Sequence, residues 1–462
     1  MSLEIVVLAA GRGTRMRSDL PKVLHHLAGR PLLSHVLATA RDLKPDQIHV
    51  VIGFGADRIR ATYAHADNDV SWVLQNKQKG TGHAVQQALP GIKDGSNVLV
   101  LFGDVPLVST GLLKKCTAAC PDAGVTLRLV TACVSDSTGF GRIVRAEDGS
   151  VQRIVEDKDA TPDQSSIDEI NTGILYAPVS NLARYLDQLD MDNAQGELYL
   201  TDVISVAVSE GAQIEGLVAE RPDEVLGIND HIQLATMERY YQERSALNLL
   251  KSGVGMADPK RVDIRGTVDA GVDCYIDCNV ILEGTITLGN RVRIESGVVI
   301  KDSRLADDVH IFPNTVIEGA EIAAGCAVGP FARIRPGTEL SDGVKIGNFV
   351  ETKSARVGKN TKASHLAYLG DASIGSGCNI GAGTIFCNYD GVDKHRTELG
   401  DGVFVGSNST LVAPINIGDD AFVGAGSTLS KGVRSSELAI GRGKQRNIAG
   451  WLSPAAKAKK EK

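Results

Sequence analysis

The stretch that decides the architecture is residues 276–300, IDCNVILEGTITLGNRVRIESGVVI. Ile276, Leu282, Leu288, Ile294 and Ile300 stand six apart without exception. After a slip of one, Leu305, Ile311 and Ile317 continue, then Ile322, Val328, Ile334, Leu340 and Ile346. A last run holds Leu399, Val405, Leu411, Ile417, Val423 and Leu429. Gly, Asp or Asn commonly follow, as in Leu288-Gly-Asn and Ile417-Gly-Asp. A six-residue repeat headed by an apolar residue is the signature of a parallel β-helix, in which each head points inward and small residues turn the corners. The phase is lost between about Glu351 and Gly370 and again around Asn388–Arg396, where insertions are expected to form loops on one face of the solenoid.

Upstream the pattern is different. Residues 1 to 228 alternate short apolar runs with amphipathic stretches, as in a layered α/β domain. Ile5–Ala10, Ile48–Gly53 and Val98–Phe102 read as strands buried on both faces, and ligands are expected beyond their carboxyl ends. A connecting helix is expected over 229–250, capped by Asn229 or Asp230, with Leu234, Met237 and Tyr241 on one face. The β-helix then occupies 251–446, and a charged tail, 447–462, ends in the low-complexity AAKAKKEK, read as solvated and disordered.

At 462 residues the chain exceeds one ordinary core. Its net charge of −7 argues against a protein that covers nucleic-acid phosphates with a basic face. The run Ile5–Ala10 is too short, and its flank too acidic, for a signal peptide, and no stretch has the length of a membrane span. Eight scattered cysteines lack zinc spacing and read as reduced, buried thiols. No nucleic-acid or membrane partner is expected.

Leu8-Ala9-Ala10-Gly11-Arg-Gly13-Thr14-Arg15-Met16, with Pro21-Lys22 shortly after, follows the first strand. Glycines let the backbone approach a phosphate and offer amides to it, and Arg15 and Lys22 add charge. There is no Gly-Lys-Ser/Thr for a P-loop, and Met16 stands at the third glycine of the dinucleotide fingerprint. Phe102-Gly103-Asp104 closes a buried strand, where an acidic residue is well placed to hold Mg²⁺ against phosphates.

This opening string resembles that of the sugar-1-phosphate nucleotidyltransferases. The resemblance implies uracil- and sugar-binding roles for Gln75, Gly80, Thr81, Gly141, Glu156 and Asn171, and a second metal ligand in Asn229. Many such enzymes carry a β-helix tail, so the residues of the phase breaks decide what the tail does. Lys362-Ala-Ser-His365-Leu-Ala-Tyr368, Asn379-Ile-Gly-Ala382, Asn388-Tyr389-Asp390-Gly391, Arg335 and Lys353 together closely resemble the bifunctional N-acetylglucosamine-1-phosphate uridylyltransferase / glucosamine-1-phosphate acetyltransferase family of bacteria. The likeness runs from Leu8 to about Arg446. It implies His365 as general base and Arg335, Lys353, Tyr368 and Asn379 as ligands of the amino sugar phosphate. Ala382, Asn388, Tyr389, Ser407, Ala425 and Arg442 would line the acetyl-CoA site. Apart from the resemblance, Lys444 and Arg446 make the stretch after Arg442 unusually basic, which suits contacts to the phosphates of coenzyme A.

The resemblance further implies a cytoplasmic homotrimer joined through the β-helix. Such an enzyme uses glucosamine 1-phosphate, acetyl-CoA, UTP and Mg²⁺ and feeds peptidoglycan and lipopolysaccharide synthesis. Two departures stand out: Phe102 replaces a familiar Tyr, and Phe386 a frequent Thr. Two other readings remain open at this point. One is a single-activity pyrophosphorylase for another sugar, such as ADP-glucose or GDP-mannose, with a non-catalytic β-helix. The other is an assembly protein that keeps the fold without the chemistry, against which the intact Gly11–Met16 string, Asp104 and Asn229 speak.

Overall fold

In the computed structural model, residues 2–64, 69–119, 125–193 and 196–460 are described. The chain divides into two compact units, 1–244 and 245–462, and the division falls inside the helix His231–Lys251.

The first unit is built on a mixed sheet. Its strands run in the order Gln213–Val218, Val125–Cys133, Glu169–Pro178, Asn97–Phe102, Leu3–Ala9, Gln47–Ile52 and Val70–Leu74. Glu169–Pro178 is antiparallel to both neighbours, and the other pairings along this path are parallel. Strand alternation sends Ile5, Val7 and Ala9 into one core cluster and Val6, Leu8 and Ala10 into another. That is why this run carries no polar alternation: both faces are covered. The helix His231–Lys251 begins where Gln233 N donates to Asp230 Oδ1 (2.8 Å), so of the two candidate caps Asp230 is the one used. Asn229 is left for other work; its backbone N–H is taken by Gln233 Oε1 (2.7 Å).

The second unit is a left-handed parallel β-helix. Every apolar head of the six-residue repeat is buried in one continuous core. Register partners such as Ile276, Ile294, Ile311, Val328, Ile346, Ala363 and Ile380 stack coil on coil, 17 or 18 residues apart. Three hexapeptides therefore make one turn. Each buried Ile or Leu of this column contributes about 1.5–3 kcal/mol by leaving water.

Two expectations are corrected. Residues 351–370 form no insertion; strands Glu351–Val357, Lys362–His365 and Tyr368–Ile374 continue the coils. The inward positions there are Thr352, Val357, Ala363 and Leu369, all buried, and the phase runs on to Phe386. A Thr and an Ala at inward positions hid the repeat. The break at 388–396 is real: the register step from Ile380 to Val405 lengthens to 25 residues. The tail also differs from its reading, since Pro454–Lys460 is helical, started by Ser453, whose Oγ accepts from Ala456 N (3.3 Å). Ala and Lys are strong helix formers, so a stretch of low complexity can still be helical.

Candidate functional sites

In the first unit the loop after strand Leu3–Ala9 is held open by Gly13, at φ 62°, and closes in a 3₁₀ turn, Thr14–Met16, that buries Met16 and leaves Arg15 exposed. Arg15 lines a cavity of about 810 Å³ together with Thr81, Phe102, Gly141, Glu156 and Asn171. Six residues singled out from the motifs are thus brought around one space. Lys158, Tyr199 and Thr201 line it too, and no motif had marked them. Gly173 lies beneath the Phe102 ring, at φ 78°, and a Cβ there would run into the aromatic carbons. Asn171 holds that turn, its Oδ1 accepting from Gly173 N (2.9 Å).

Glu156 accepts from Thr201 Oγ1 (3.1 Å), and burial raises its carboxyl above the ordinary range, with Asp159 and Asp157 adding to the rise. Asp202 is pushed up to about 6, first by burial and then by Glu156, Asp190 and Asp159. Leu8, Ala9, Ala10, Gln75, Gly80 and Gly103 are not among the residues that line the cavity. Gly103 N donates to Leu8 O (2.9 Å), which ties the two strand ends together.

Asp104, Asn229 and Lys22 form a second group. The Lys22 ammonium donates to Asp104 Oδ2 and to Asn229 Oδ1, the latter at 3.1 Å. A cation therefore already faces the two oxygens that the motifs assign to a metal. The donor set fits a hard divalent ion, which takes one or two protein oxygens and fills its remaining positions with water and phosphate.

The second unit assembles its polar residues from successive coils. His365 and Asn348 are register partners, and His365 Nδ1 lies 2.6 Å from Asn348 Oδ1. An amide oxygen can only accept, so Nδ1 carries a proton, and in the neutral ring Nε2 is then the nitrogen with the lone pair. Arg335 pairs with Glu351 (2.8 Å), and Glu351 is the register partner of Tyr368. Lys353 Nζ lies 3.9 Å from Asp371 Oδ2; Asn388 Nδ2 donates to that carboxylate and stands 3.5 Å from Tyr368 Oη. Lys394 comes out of the loop beside Lys353, and its side-chain hydrogen bond to Lys353, followed by that neighbour's charge, lowers the Lys394 pKa. Glu351, Asp371, Asn348 and Lys394 were missed in the sequence. The first three are recoverable once the 17-residue coil is known.

Asn379 sits on the same sheet as His365, between Lys362 and Phe404 in register. Tyr389 is exposed in the 388–396 loop, its hydroxyl donating to Gly391 O (2.6 Å). Ala382, Ser407 and Ala425 stack in a column: Asn408 N donates to Ala382 O, Gly426 N to Ser407 O, and Arg442 Nη1 to Ala425 O. A Cβ on the neighbouring Gly381 or Gly406 would strike the next coil, so the column is flat and small by necessity. Phe386 points inward and is fully buried, away from this surface.

A nucleotidyltransferase sheet followed by a hexapeptide β-helix defines a two-domain transferase. Residues 5–156 match the MobA-like NTP transferase domain, and residues 396–431 the hexapeptide repeat of succinyl-transferase. Proteins named Bifunctional protein GlmU from Marinobacter nauticus and Idiomarina loihiensis are each 52% identical to this chain, over 98% and 99% of it and 99% of their own lengths. Another of that name, from Alkalilimnicola ehrlichii, is 50% identical over 98% of the chain and 97% of its own length. The chain belongs to the GlmU family of bifunctional proteins.

Proposed function

We infer that the chain synthesises UDP-N-acetylglucosamine in two steps, at two separate sites. Full-length kinship with the GlmU proteins, joined to the intact motif residues of both units, carries this reading. In the second unit the amine of glucosamine 1-phosphate attacks the thioester carbonyl of acetyl-CoA. Nε2 of His365 takes the amine's proton, and coenzyme A leaves as the thiol. Arg335, Lys353 and Tyr368, with Asn379, hold the sugar phosphate, and the small-residue column Ala382–Ser407–Ala425 with Arg442 takes the pantetheine and nucleotide of the coenzyme.

In the first unit a phosphate oxygen of N-acetylglucosamine 1-phosphate attacks the α-phosphorus of UTP, and pyrophosphate leaves. Glu156 and Asn171 bind the sugar, and Gln75, Gly80 and Thr81 the base. Arg15 and the amides of Gly11–Thr14 gather the triphosphate. Asp104 and Asn229 would hold Mg²⁺, which neutralises phosphate charge when bound; Lys22, released from the pair, would turn to the phosphates. The step requires positioning and charge neutralisation more than covalent help.

The homotrimer belongs to the same reading. Its support is a corner column in which Phe331, Phe349 and Leu366 take φ of 53°, 57° and 46° and are 50%, 56% and 58% exposed. Elsewhere that corner holds Asn or Gly, and a bulky residue in the left-handed region is strained, so an apolar partner surface against it gives the strain a purpose. No helix among the described residues is long and apolar enough to cross a membrane. UTP and acetyl-CoA as co-substrates put the enzyme in the cytoplasm.

The deciding experiment supplies glucosamine 1-phosphate and acetyl-CoA without nucleotide and follows free thiol. Thiol release that His365→Ala abolishes supports the acetyltransferase. No release from folded protein demotes the β-helix to a scaffold.

A further inference from the structure

Gln75 directly follows strand Val70–Leu74 and is 2% exposed. Its side-chain nitrogen donates to Gly80 O (3.1 Å) and lies 2.9 Å from His83 Nδ1. The Gly80 carbonyl can only accept, so it fixes which end of the amide is nitrogen. That carbonyl is held by a second donor, since Ala84 N also donates to it (3.2 Å). The second amide hydrogen then goes to His83, which must present an unprotonated Nδ1. The other ring nitrogen then carries the proton and lies 3.3 Å from Gln87 Nε2, so the Gln87 amide must turn over for its oxygen to accept from it. Both Gln75 hydrogens are thereby used within the protein. Its Oε1 has no partner among the described residues and is not among the atoms sealed from solvent without one.

We propose that His83 is a specificity-determining residue, which, by accepting from the Gln75 amide, leaves that side chain only an acceptor to offer a base. This rests on the reading that the first unit takes a uridine nucleotide. Uracil meets the acceptor with N3–H; cytosine presents a lone pair at the same ring position and is repelled. Sites that pair a substrate's donor discriminate strongly, because the wrong ligand leaves a buried group unpaired. Burial and the nearby Lys79 both lower the His83 pKa, which keeps the ring neutral at pH 7.

The test compares pyrophosphate release from UTP and from CTP, with N-acetylglucosamine 1-phosphate and Mg²⁺, as a ratio of kcat/KM. His83→Ala is expected to cut the UTP:CTP ratio at least about tenfold. His83→Asn, whose Oδ1 can stand where Nδ1 stands, is expected to hold it within about threefold of the parent. An unchanged ratio in His83→Ala, or an equal collapse in His83→Asn, overturns the proposal. Should His83→Ala not fold, His83→Leu fills the volume without an acceptor and takes its place in the comparison. A parent that releases no pyrophosphate from UTP refutes the uridylyl reading itself, and this inference with it.

Discussion

His365 Nδ1 and Asn348 Oδ1 lie 2.6 Å apart on neighbouring coils, in register. The contact holds the imidazole in the tautomer whose Nε2 is free to accept a proton. Asn348→Ala is therefore expected to lower kcat for acetyl transfer by about 10- to 100-fold, within the usual worth of general base catalysis. Asn348→Asp puts a carboxylate against Nδ1 and stabilises the imidazolium. It should move the acidic limb of the pH–rate profile upward, which a merely structural role would not do. Free-thiol release measured from pH 5 to 9 reads both effects.

Asp104 and Asn229 share the ammonium of Lys22. Asp104→Ala removes the only carboxylate of that trio, and Mg²⁺-dependent pyrophosphate release should fall below about a thousandth. Thiol release by the same protein should stay near the parent's, while His365→Ala should give the opposite pattern. Parallel loss of both activities in either stable variant would sink the claim of independent sites.

Gly173 has no room for a side chain, because the Phe102 ring occupies the place of its Cβ. Gly173→Ala also strains a backbone at φ 78°, at about 1–3 kcal/mol. Both residues line the cavity that also holds Glu156 and Asn171. The variant should lose uridylyl transfer by raising KM for both substrates. Adding Phe102→Ala should restore part of the loss, since it removes the clash while leaving the strain. A double variant no better than Gly173→Ala would mean that the ring contact is not what excludes the methyl.

What the sequence made legible follows from how far apart the cooperating residues stand. The β-helix was readable because Ile276, Ile294 and Ile311 must all point inward, and the reading failed where Thr352 and Ala363 do the same work without an apolar signature. The pairs Asn348–His365 and Arg335–Glu351 are 17 and 16 residues apart, about one coil. They were implicit in a period of six that had not been multiplied by three. Lys22, Asp104 and Asn229 come together over 82 and 207 residues, a distance that no spacing encodes. Only the motifs marked them. The Gln75–His83 contact hid for another reason, since a His on the first turn of a helix has many ordinary explanations.

Asp202 supplies a pH-dependent test of the acidic wall near Glu156. The unfolded side chain titrates near 3.8 and the folded one near 6, so between those values the folded chain holds more protons. Stability contributed by this group is then lost as pH rises through that window, the reverse of a salt-bridged carboxylate. Asp202→Asn should raise the unfolding free energy by about 1 kcal/mol at pH 8, allowing for its partial exposure, or roughly 2–4 °C in Tm. The gain should vanish near pH 4. Thermal scans at the two pH values decide it, and an equal gain at both would assign the effect to packing.

The corner column Phe331–Phe349–Leu366 gives the assembly a direct test. Phe331 and Phe349 stack at 5.4 Å with their planes 15° apart, and both are more than half or about half exposed on a chain poor in aromatics. Contiguous apolar surface of this kind marks an interaction site, and a closed homo-oligomer repeats one such patch around its axis. Phe349→Asp places a charge on the patch without touching the buried column of the β-helix. The parent is expected to run as a trimer by light scattering and the variant as a monomer. Acetyl transfer should fall with the trimer, because His365 adjoins Leu366 in the same corner, while uridylyl transfer in the first unit should persist. A variant that remains trimeric would move the interface to another face. A parent that is monomeric at micromolar concentration would remove it.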